Sequence, residues 1–219
     1  MSYKEDKIRA IWYGNKQPSL WARILSKVFK LVSSIRRSLY KTGILRSTKL
    51  KVPVIIVGNI TAGGGGKTPM VIWLANHLKS LGYKPGIISR GYGGKRKVEP
   101  MFVTPHADPQ ASGDEPLLMS QMTQVPVMVG KDRSKAGKQL IAQYSVNIII
   151  SDDGMQHYKL KRDAEIVMLD ATWKTGNNKF LPAGPLREPL SRLDEADLVI
   201  YKGLIEDEHC YQLGIDSVY

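Results

Sequence analysis

The chain predicts an α/β fold: a mostly parallel β-sheet with helices on both faces, preceded by an amphipathic N-terminal helix. Two observations carry this prediction. Short runs that are apolar throughout alternate with segments of helical periodicity, which is typical of a parallel sheet buried on both faces. The 219 residues, 42% hydrophobic and 24% charged, suffice for one full-sized domain and are too apolar for a disordered chain.

The composition also excludes several classes of protein. Cys210 is the only cysteine, which rules out an internal disulfide framework, and the four dispersed histidines argue against a Cys/His zinc site. No run approaches the roughly 20 apolar residues that cross a bilayer, and the first residues lack the apolar stretch of a secretory signal. We therefore expect a protein on the cytoplasmic side.

The net charge of +12 is concentrated at the N-terminus. Residues 1–51 carry a net charge of +11, whereas residues 52–219 carry only +1. An ATPase that acts on nucleic acid would have basic residues spread over its body, so we expect no nucleic-acid partner.

The basic segment is predicted to form a helix with Ser19 as its N-cap. Its apolar residues recur at helical spacing on one face: Trp21, Ile24, Leu25, Val28, Val32, Ile35 and Leu39. The opposite side carries Arg23, Lys27, Lys30, Ser34 and Arg37. This pattern suits the surface of an anionic membrane. The alternative is an ordinary surface helix whose apolar face packs on the domain.

From residue 51 onward strands and helices alternate. Strands are predicted at 52–57, 85–89, 125–129, 146–150, 166–169 and 198–201, and helices at 69–81, 115–122 and 134–144. The chain thus divides into a membrane-associated segment (1–50), an α/β domain (51–205) and the start of a linker or second lobe (206–219).

A glycine-rich loop follows the first strand and has the arrangement of a P-loop, so the fold is P-loop NTPase-like. Its predicted nucleotide-binding residues are Thr61, Ala62, Gly63, Gly64, Gly65, Gly66, Lys67 and Thr68. In this arrangement backbone N–H groups converge on phosphate oxygens, Lys67 reaches the β- and γ-phosphates, and the Thr68 hydroxyl ligates Mg²⁺. Thr61 departs from the strict pattern, which has glycine there. The alternative is a flexible glycine loop.

Paired carboxylates follow another buried strand. Asp152 and Asp153 stand at the end of the run 146–150, and the carboxyl end of a strand lies on the ligand edge of an open α/β sheet. A P-loop protein needs a second acidic anchor for Mg²⁺, and these residues are the candidates. The alternative is a plain Asp-Gly turn.

These motifs together strongly resemble the tetraacyldisaccharide 4'-kinases, the lipid A kinases of Gram-negative bacteria. The resemblance covers roughly residues 10–202, and it rests on the P-loop, Ser89-Arg90-Gly91-Tyr92, Gly113-Asp114-Glu115-Pro116, Asp152-Asp153-Gly154-Met155-Gln156-His157 and the run 181–190, Leu-Pro-Ala-Gly-Pro-Leu-Arg-Glu-Pro-Leu. It implies transfer of the ATP γ-phosphate to the 4'-hydroxyl of tetraacyldisaccharide 1-phosphate, which forms lipid IVA.

The resemblance also implies roles for individual residues. Asp114 matches the general base, and His157 is another site position that we group with the catalytic residues. Glu188 joins the two aspartates near the metal, and Arg187 matches a further site position that we place at the substrate. The implied cofactors are ATP and Mg²⁺. The implied partners are the lipid disaccharide and, through the N-terminal helix, the membrane surface. We expect a monomer at the cytoplasmic face of the inner membrane.

Several of these residues could equally have a purely structural role. Asp114 suits plain N-capping of a helix, and Arg187 with Glu188 suits a surface ion pair. Arg90 and Tyr92 follow a parallel strand on the P-loop edge, which fits substrate contact, but their glycines equally fit a tight turn.

Two departures from the family pattern remain. Met155 stands where the family usually has phenylalanine, which predicts a change in packing only. Family members also continue past the position of Tyr219 into a second lobe, so we expect the chain to be truncated at its C-terminus. The competing hypothesis is a P-loop switch protein or metallochaperone. A guanine-specific Asn-Lys-x-Asp motif or a Cys-x-x-Cys motif would favour it, and the sequence contains neither.

Overall fold

The computed structural model describes residues 3–96 and 98–203. Six α-helices lie in this part of the chain: α1 (Tyr3–Trp12), α2 (Leu20–Lys41), α3 (Lys67–Ser80), α4 (Pro109–Ser112), α5 (Asp114–Thr123) and α6 (Arg133–Tyr144). Its strands are β1 (Val54–Gly58), β2 (Pro85–Ser89), β3 (Met101–Val103), β4 (Val127–Val129), β5 (Ile148–Asp152), β6 (Ala164–Asp170) and β7 (Leu198–Lys202). A short 3₁₀ helix spans Leu190–Arg192.

The strands form one sheet in the order β3-β4-β2-β5-β1-β6-β7. All neighbouring strands are parallel except β3, which pairs antiparallel with β4. The predicted mostly parallel sheet is therefore confirmed. The three-residue β3 was not predicted, because a strand so short at the sheet edge has no distinctive pattern.

Helices cover both faces of the sheet. On one face, α3 and α5 bury Val71, Leu74 and Met119 against the strands. On the other, Leu140 of α6 packs in a second cluster together with Phe180 from the C-terminal part of the chain. Each central strand is consequently buried on both sides, which is why these strands are apolar throughout.

The boundaries of β1 and β5 differ from the predicted ones by up to two residues. β1 begins at Val54 instead of residue 52, and β5 begins at Ile148 instead of residue 146. Pairing sets these limits, since Val54 lies opposite Ile149. As a result β5 runs to Asp152, and that carboxylate is part of the strand.

The N-terminal segment contains a helix that the sequence did not reveal. α1 docks on the chain around 177–182: the Trp12 indole N–H donates to the Pro182 carbonyl (3.1 Å), and Asn177 Nδ2 donates to the Ile11 carbonyl (2.9 Å). At the other end of the predicted segment, Leu50 is buried in the sheet core. The segment 3–50 is thus fastened to the α/β domain near both of its ends.

The predicted helix after Ser19 is confirmed as α2, and Ser19 is its N-cap, accepting a hydrogen bond from the Ala22 N–H. Contacts with the domain come from its more polar side. Ser26 Oγ donates to the Phe180 carbonyl (2.8 Å), and Arg37 pairs with Glu195. Glu195 is in turn held by Arg192 at 2.8 Å.

The apolar face of α2 points away from the domain. Trp21 is 75% exposed and Val32 58%, and the neighbouring apolar residues Ile24, Leu25, Val28 and Ile35 are exposed as well. The alternative of a helix that packs this face on the domain is therefore wrong. None of the described helices is long and apolar enough to cross a membrane. The predicted linker or second-lobe start at 206–219 lies outside the described residues.

Candidate active site

The loop after β1 is held in place by the side chain of Asn59. Asn59 Oδ1 accepts hydrogen bonds from both the backbone N–H (2.9 Å) and the hydroxyl (2.8 Å) of Thr61. The Asn59 amide nitrogen also occupies the space that a Cβ at Gly65 would take. Gly66 has φ +79° and forms the N-cap of α3, a left-handed conformation that favours glycine. Asn59 therefore holds the loop at Thr61 and packs against Gly65.

The structure separates the predicted nucleotide-binding residues into two groups. Thr61 donates its N–H to Asn59, and Ala62 donates its N–H to the Pro185 carbonyl (2.7 Å). These two N–H groups hold the loop in place, and the binding of nucleotide by Thr61 and Ala62 stays a prediction. Within the described chain, by contrast, no hydrogen bond engages the N–H groups of Gly64, Gly66, Lys67 and Thr68.

Lys67 turns toward the paired aspartates at the end of β5. Its Nζ lies 3.5 Å from Asp153 Oδ1, and its side chain is only 13% exposed. β1 and β5 are adjacent parallel strands, so their carboxyl ends bring the lysine and the aspartates to one edge of the sheet.

Asp152 and Asp153 are neighbours in opposite electrostatic environments. Asp152 is 2% exposed, and burial raises its pKa to about 6 even though the Ser89 hydroxyl donates to Oδ2 at 2.8 Å. Its Oδ1 has no hydrogen-bond partner in the described structure. Burial acts on Asp153 too, but the charges of Lys67 and Arg187 outweigh it and hold the pKa of Asp153 below the ordinary value.

Two arginines fix the turn that carries these carboxylates. Arg187 Nη1 lies 3.2 Å from both carboxylate oxygens of Asp153, and its backbone N–H donates to the Ile60 carbonyl (2.7 Å). Arg133, at the start of α6, is buried and donates to the Asp153 carbonyl (2.9 Å). Arg187 is thus more than a surface ion pair, because it connects the aspartate turn with the chain leading into the P-loop.

His157 and Glu188 lie with other partners. Both Glu188 carboxylate oxygens accept hydrogen bonds from the Tyr158 hydroxyl (2.6 and 2.7 Å). Glu188 does not join Asp152 and Asp153 in a carboxylate group able to hold a metal, and no such group of three or more His, Cys, Asp or Glu side chains occurs in the described chain. Tyr158 is thus the described partner of Glu188, and the place of Glu188 beside the metal stays a prediction.

The imidazole of His157 is kept neutral by its surroundings. Burial, with the neighbouring charge of Arg133, lowers the pKa of His157 to about 4. Its Nε2 is buried and has no hydrogen-bond partner within the described residues. At neutral pH the imidazole is therefore uncharged.

The residues after β2 and at the start of α5 lie at the same edge of the sheet as the phosphate loop. Arg90 and Tyr92 follow β2 and line a cavity of about 320 Å³ together with Lys95 and Lys131. Tyr92 is 85% exposed. Asp114 is the first residue of α5 and is exposed, and a Cβ on the preceding Gly113 would collide with the Tyr92 carbonyl. Asp114 therefore lies beside the Arg90–Tyr92 loop.

Asp114 does not cap α5, since the N-cap is Gly113. The plain capping role that the sequence left open for Asp114 is therefore wrong. Its neighbour Glu115 is close enough for its charge to help raise the pKa of Asp152. The start of α5 is thus part of the same edge as the aspartate turn.

Sequence reasoning assigned no role to three residues of this site: Asn59, Ser89 and Arg133. Asn59 lies between β1 and the glycines, and Ser89 is the last residue of β2, so position at a strand end was the available signal for both. Arg133 follows Asp132, the N-cap of α6, in a sequence that looks like an ordinary helix start. Nothing in that local pattern indicates that its guanidinium reaches the carbonyls of the aspartate turn.

Known proteins have sequences similar to that of this chain. "Tetraacyldisaccharide 4'-kinase" of Nitrosococcus oceani is 48% identical over 205 residues, and the match covers 93% of this chain and 60% of that protein. The protein of the same name from Methylobacillus flagellatus is 50% identical over 193 residues, covering 88% of this chain and 57% of that one. The chain therefore spans about 60% of the length of these relatives.

A solved structure is similar as well. The crystal structure of LpxK from Aquifex aeolicus in complex with ATP superposes with a TM-score of 0.73 at 38% sequence identity, covering 81% of this chain and 56% of that one. The model of the family described as "Tetraacyldisaccharide-1-P 4'-kinase" matches residues 18–214, which include the phosphate loop, the aspartate turn and the whole of helix α2. By fold, by site and by sequence, the chain belongs to the tetraacyldisaccharide-1-P 4'-kinase family.

Proposed function

We propose that the chain is an ATP-dependent lipid kinase of lipid A biosynthesis. It transfers the γ-phosphate of ATP to the 4'-hydroxyl of tetraacyldisaccharide 1-phosphate and forms lipid IVA. The observation that carries the proposal is the pairing of Lys67 with Asp153 at the start of α3, beside N–H groups without partners. The ATP complex of the similar Aquifex aeolicus protein supports the same assignment.

The phosphate loop supplies the binding energy for the donor nucleotide. Its free N–H groups and the N-terminal end of α3 offer a positive potential to phosphate oxygens. Lys67 adds a positive charge, part of which is compensated by Asp153, and the ion pair holds its side chain at the site. As in other phosphoryl transfers, the chain's contribution is to position the groups and to stabilise developing negative charge.

Asp114 is the proposed acceptor of the proton from the attacking hydroxyl. A bond forms between the 4'-oxygen and the γ-phosphorus while the bond from that phosphorus to the β–γ bridging oxygen breaks. ADP leaves, and the hydroxyl proton passes to the Asp114 carboxylate. The exposed side chain of Asp114, beside the Arg90–Tyr92 loop, supports this role because an acceptor can approach it from solvent.

Two oxygens fit the Mg²⁺ that the family implies. The Asp152 Oδ1 atom is buried without a partner, and the Thr68 hydroxyl makes no hydrogen bond in the described structure. Both are hard oxygen ligands of the kind that Mg²⁺ takes. When bound, the ion neutralises charge on the phosphate oxygens. In its absence Asp152 stays partly protonated near pH 6, so we expect the metal to bind better above that pH.

The test is transfer of labelled γ-phosphate to tetraacyldisaccharide 1-phosphate in mixed micelles with Mg²⁺. We expect labelled lipid with the native chain and a loss on the order of a hundred- to a thousandfold in Lys67→Met. Lys138→Met is the matched control, because Lys138 is an exposed lysine on α6 without described partners. Absence of labelled lipid with the native chain at any nucleotide concentration contradicts the proposal.

We propose further that α2 docks the enzyme on the cytoplasmic face of the bacterial inner membrane. The outward apolar face, with Trp21 at 75% exposure, supports insertion among lipid chains. Arg23 and Lys27 are exposed beside it and favour anionic headgroups. The proposed acceptor is itself an amphiphile, so a kinase on the bilayer surface meets it there.

Sedimentation with anionic vesicles tests the docking. We expect the native chain to bind and Ile35→Glu to lose at least about tenfold in affinity, since a charge then enters the apolar face. Leu81→Glu is the control, because Leu81 is 60% exposed but lies at the end of α3. Equal binding of all three proteins contradicts a role for α2. That the chain acts as a monomer and binds no nucleic acid stays a prediction.

A further inference from the structure

The last residue of β7, Lys202, lies against the phosphate loop. An ideal Cβ built on Gly66 would be 3.0 Å from Lys202 Cδ, 3.5 Å from Cγ and 3.6 Å from Cβ, so the lysine stem crosses directly over this glycine. Gly66 is the N-cap of α3 and precedes Lys67. Two lysines therefore flank one loop, one from α3 and the other from β7.

The backbone that carries Lys202 is firmly placed. β7 pairs in parallel with β6, Asp170 lies opposite Lys202 in the register, and the Lys202 carbonyl accepts a hydrogen bond from the Ala171 N–H (2.9 Å). β6 in turn is parallel to β1, so Lys202 ends its strand at the sheet edge from which the phosphate loop rises. The stem thus has a defined route across Gly66.

The ammonium group of Lys202 has no counter-charge in the described structure. No ion pair or hydrogen bond joins its Nζ to residues 3–96 or 98–203. The nearest acid in register, Asp170, uses Oδ1 to accept the N–H groups of Thr172 and Trp173. Lys202 is exposed, so its ammonium group is available to an anion that binds at the positive N-terminal end of α3.

From this arrangement we infer that Lys202 is a second phosphate-binding lysine, which contacts the polyphosphate of the bound nucleotide from the side opposite Asp153. The inference rests on the proposed function, in which this loop binds ATP. The charge of Lys67 is partly compensated by its ion pair with Asp153, whereas Lys202 has no ion-pair partner among the described residues. Its contribution should therefore depend on the number of phosphates that the ligand carries.

Calorimetric titration of the chain with ATP and with AMP tests the inference. Lys202→Met keeps the apolar stem on Gly66 and removes the charge. We expect its affinity for ATP to fall about tenfold, while its affinity for AMP changes less than twofold. Lys202→Arg, which keeps the charge, should retain ATP affinity within about threefold of the native chain and should remain the usable variant if the methionine protein unfolds.

Two further proteins separate the possible failures. Lys138→Met removes an exposed lysine from α6 and should bind both nucleotides as the native chain does. Lys67→Met should lose ATP affinity in any case. If Lys67→Met loses ATP and Lys202→Met does not, or if Lys202→Met loses ATP and AMP equally, the inference is overturned while the proposed function stands. If the native chain does not bind ATP, the proposed function and the inference fall together.

Discussion

The central sheet and helix α2 both carry regularly spaced apolar residues, but the two regions place them in opposite surroundings. Ile56 in β1 is fully buried between two layers of helices, whereas Ile35 in α2 is 51% exposed. α2 is nevertheless fastened to the domain through Ser26 and Arg37 on its other side. Apolar periodicity alone therefore does not tell whether a helix faces its own domain or an external surface, and the position of its polar contacts does.

The largest expected effect concerns the chemistry at the sheet edge. Asp114→Asn should lower the rate of phosphate transfer by a factor on the order of a hundred to ten thousand, because an amide cannot take the hydroxyl proton. Glu115→Gln is the matched control on the next residue. It should keep most of the activity, since we assign Glu115 only an electrostatic effect on Asp152. Comparable losses in both variants, measured as initial rates at saturating ATP, would remove Asp114 from its proposed role.

Two alanine substitutions, one in the sheet and one in α2, compare the two sets of apolar residues directly. Ile56→Ala should cost about 3 kcal/mol of unfolding free energy, because it leaves a cavity in the core. Ile35→Ala should change that energy by less than about 0.5 kcal/mol, because the side chain already faces solvent. Urea denaturation of the two variants and the native chain measures both. A large loss in Ile35→Ala would mean that the apolar face of α2 packs on protein.

The two aspartates should respond to substitution in opposite directions. The pKa of Asp152 is about 6 in the folded chain and near 3.8 when unfolded, so the folded state holds more protons between these values and stability falls as the pH rises through them. Asp152→Asn should therefore stabilise the ligand-free chain at pH 8, by about 2 kcal/mol. This variant should also remove the fall in stability between about pH 4 and 6.

Asp153→Asn should destabilise the chain at pH 8 by about 1 kcal/mol, because it leaves Lys67 and Arg187 without their partner. The figure is small since a third of the Asp153 side chain is exposed and solvent screens the pair. The lowered pKa of Asp153 means that its contribution is present above the ordinary carboxyl pKa and disappears as the pH falls. Thermal melts at pH 5 and 8 would refute this account if both variants shifted in the same direction.

A further effect, on membrane binding alone, is expected from the basic side of α2. Replacing Arg23 and Lys27 with glutamine should weaken binding to phosphatidylserine vesicles by roughly thirtyfold, because each basic residue near the surface contributes about 1 kcal/mol. Binding to neutral vesicles should hardly change. A loss that is equal on both kinds of vesicle would mean that the substitutions disturb α2 itself.

The sheet and the phosphate loop could be predicted because their signals are local. The run 54–58, the glycines and Lys67-Thr68 stand next to one another in the chain, and each has a direct structural meaning. The orientation of α2 could not be predicted, because an amphipathic pattern fits a domain surface and a lipid surface equally well.

The missed contacts of the site are long-range and use ordinary residue types. Arg133 of helix α6 reaches the carbonyl of Asp153 in the turn after β5, and Glu188 accepts a hydrogen bond from the hydroxyl of Tyr158, 30 positions away. Such partners depend on how elements pack, which a single sequence does not reveal. The same applies to Trp12, whose indole anchors α1 to Pro182.

The most direct test is the rate at which the chain transfers γ-phosphate from ATP to tetraacyldisaccharide 1-phosphate carried in anionic vesicles. The native chain, Lys67→Met and Ile35→Glu are compared, with ATP binding measured alongside. We predict that Lys67→Met loses transfer and ATP binding together, whereas Ile35→Glu slows transfer at least about tenfold and binds ATP normally. Transfer by Ile35→Glu at the native rate, or none by the native chain, would contradict the account of a kinase that works from a membrane surface.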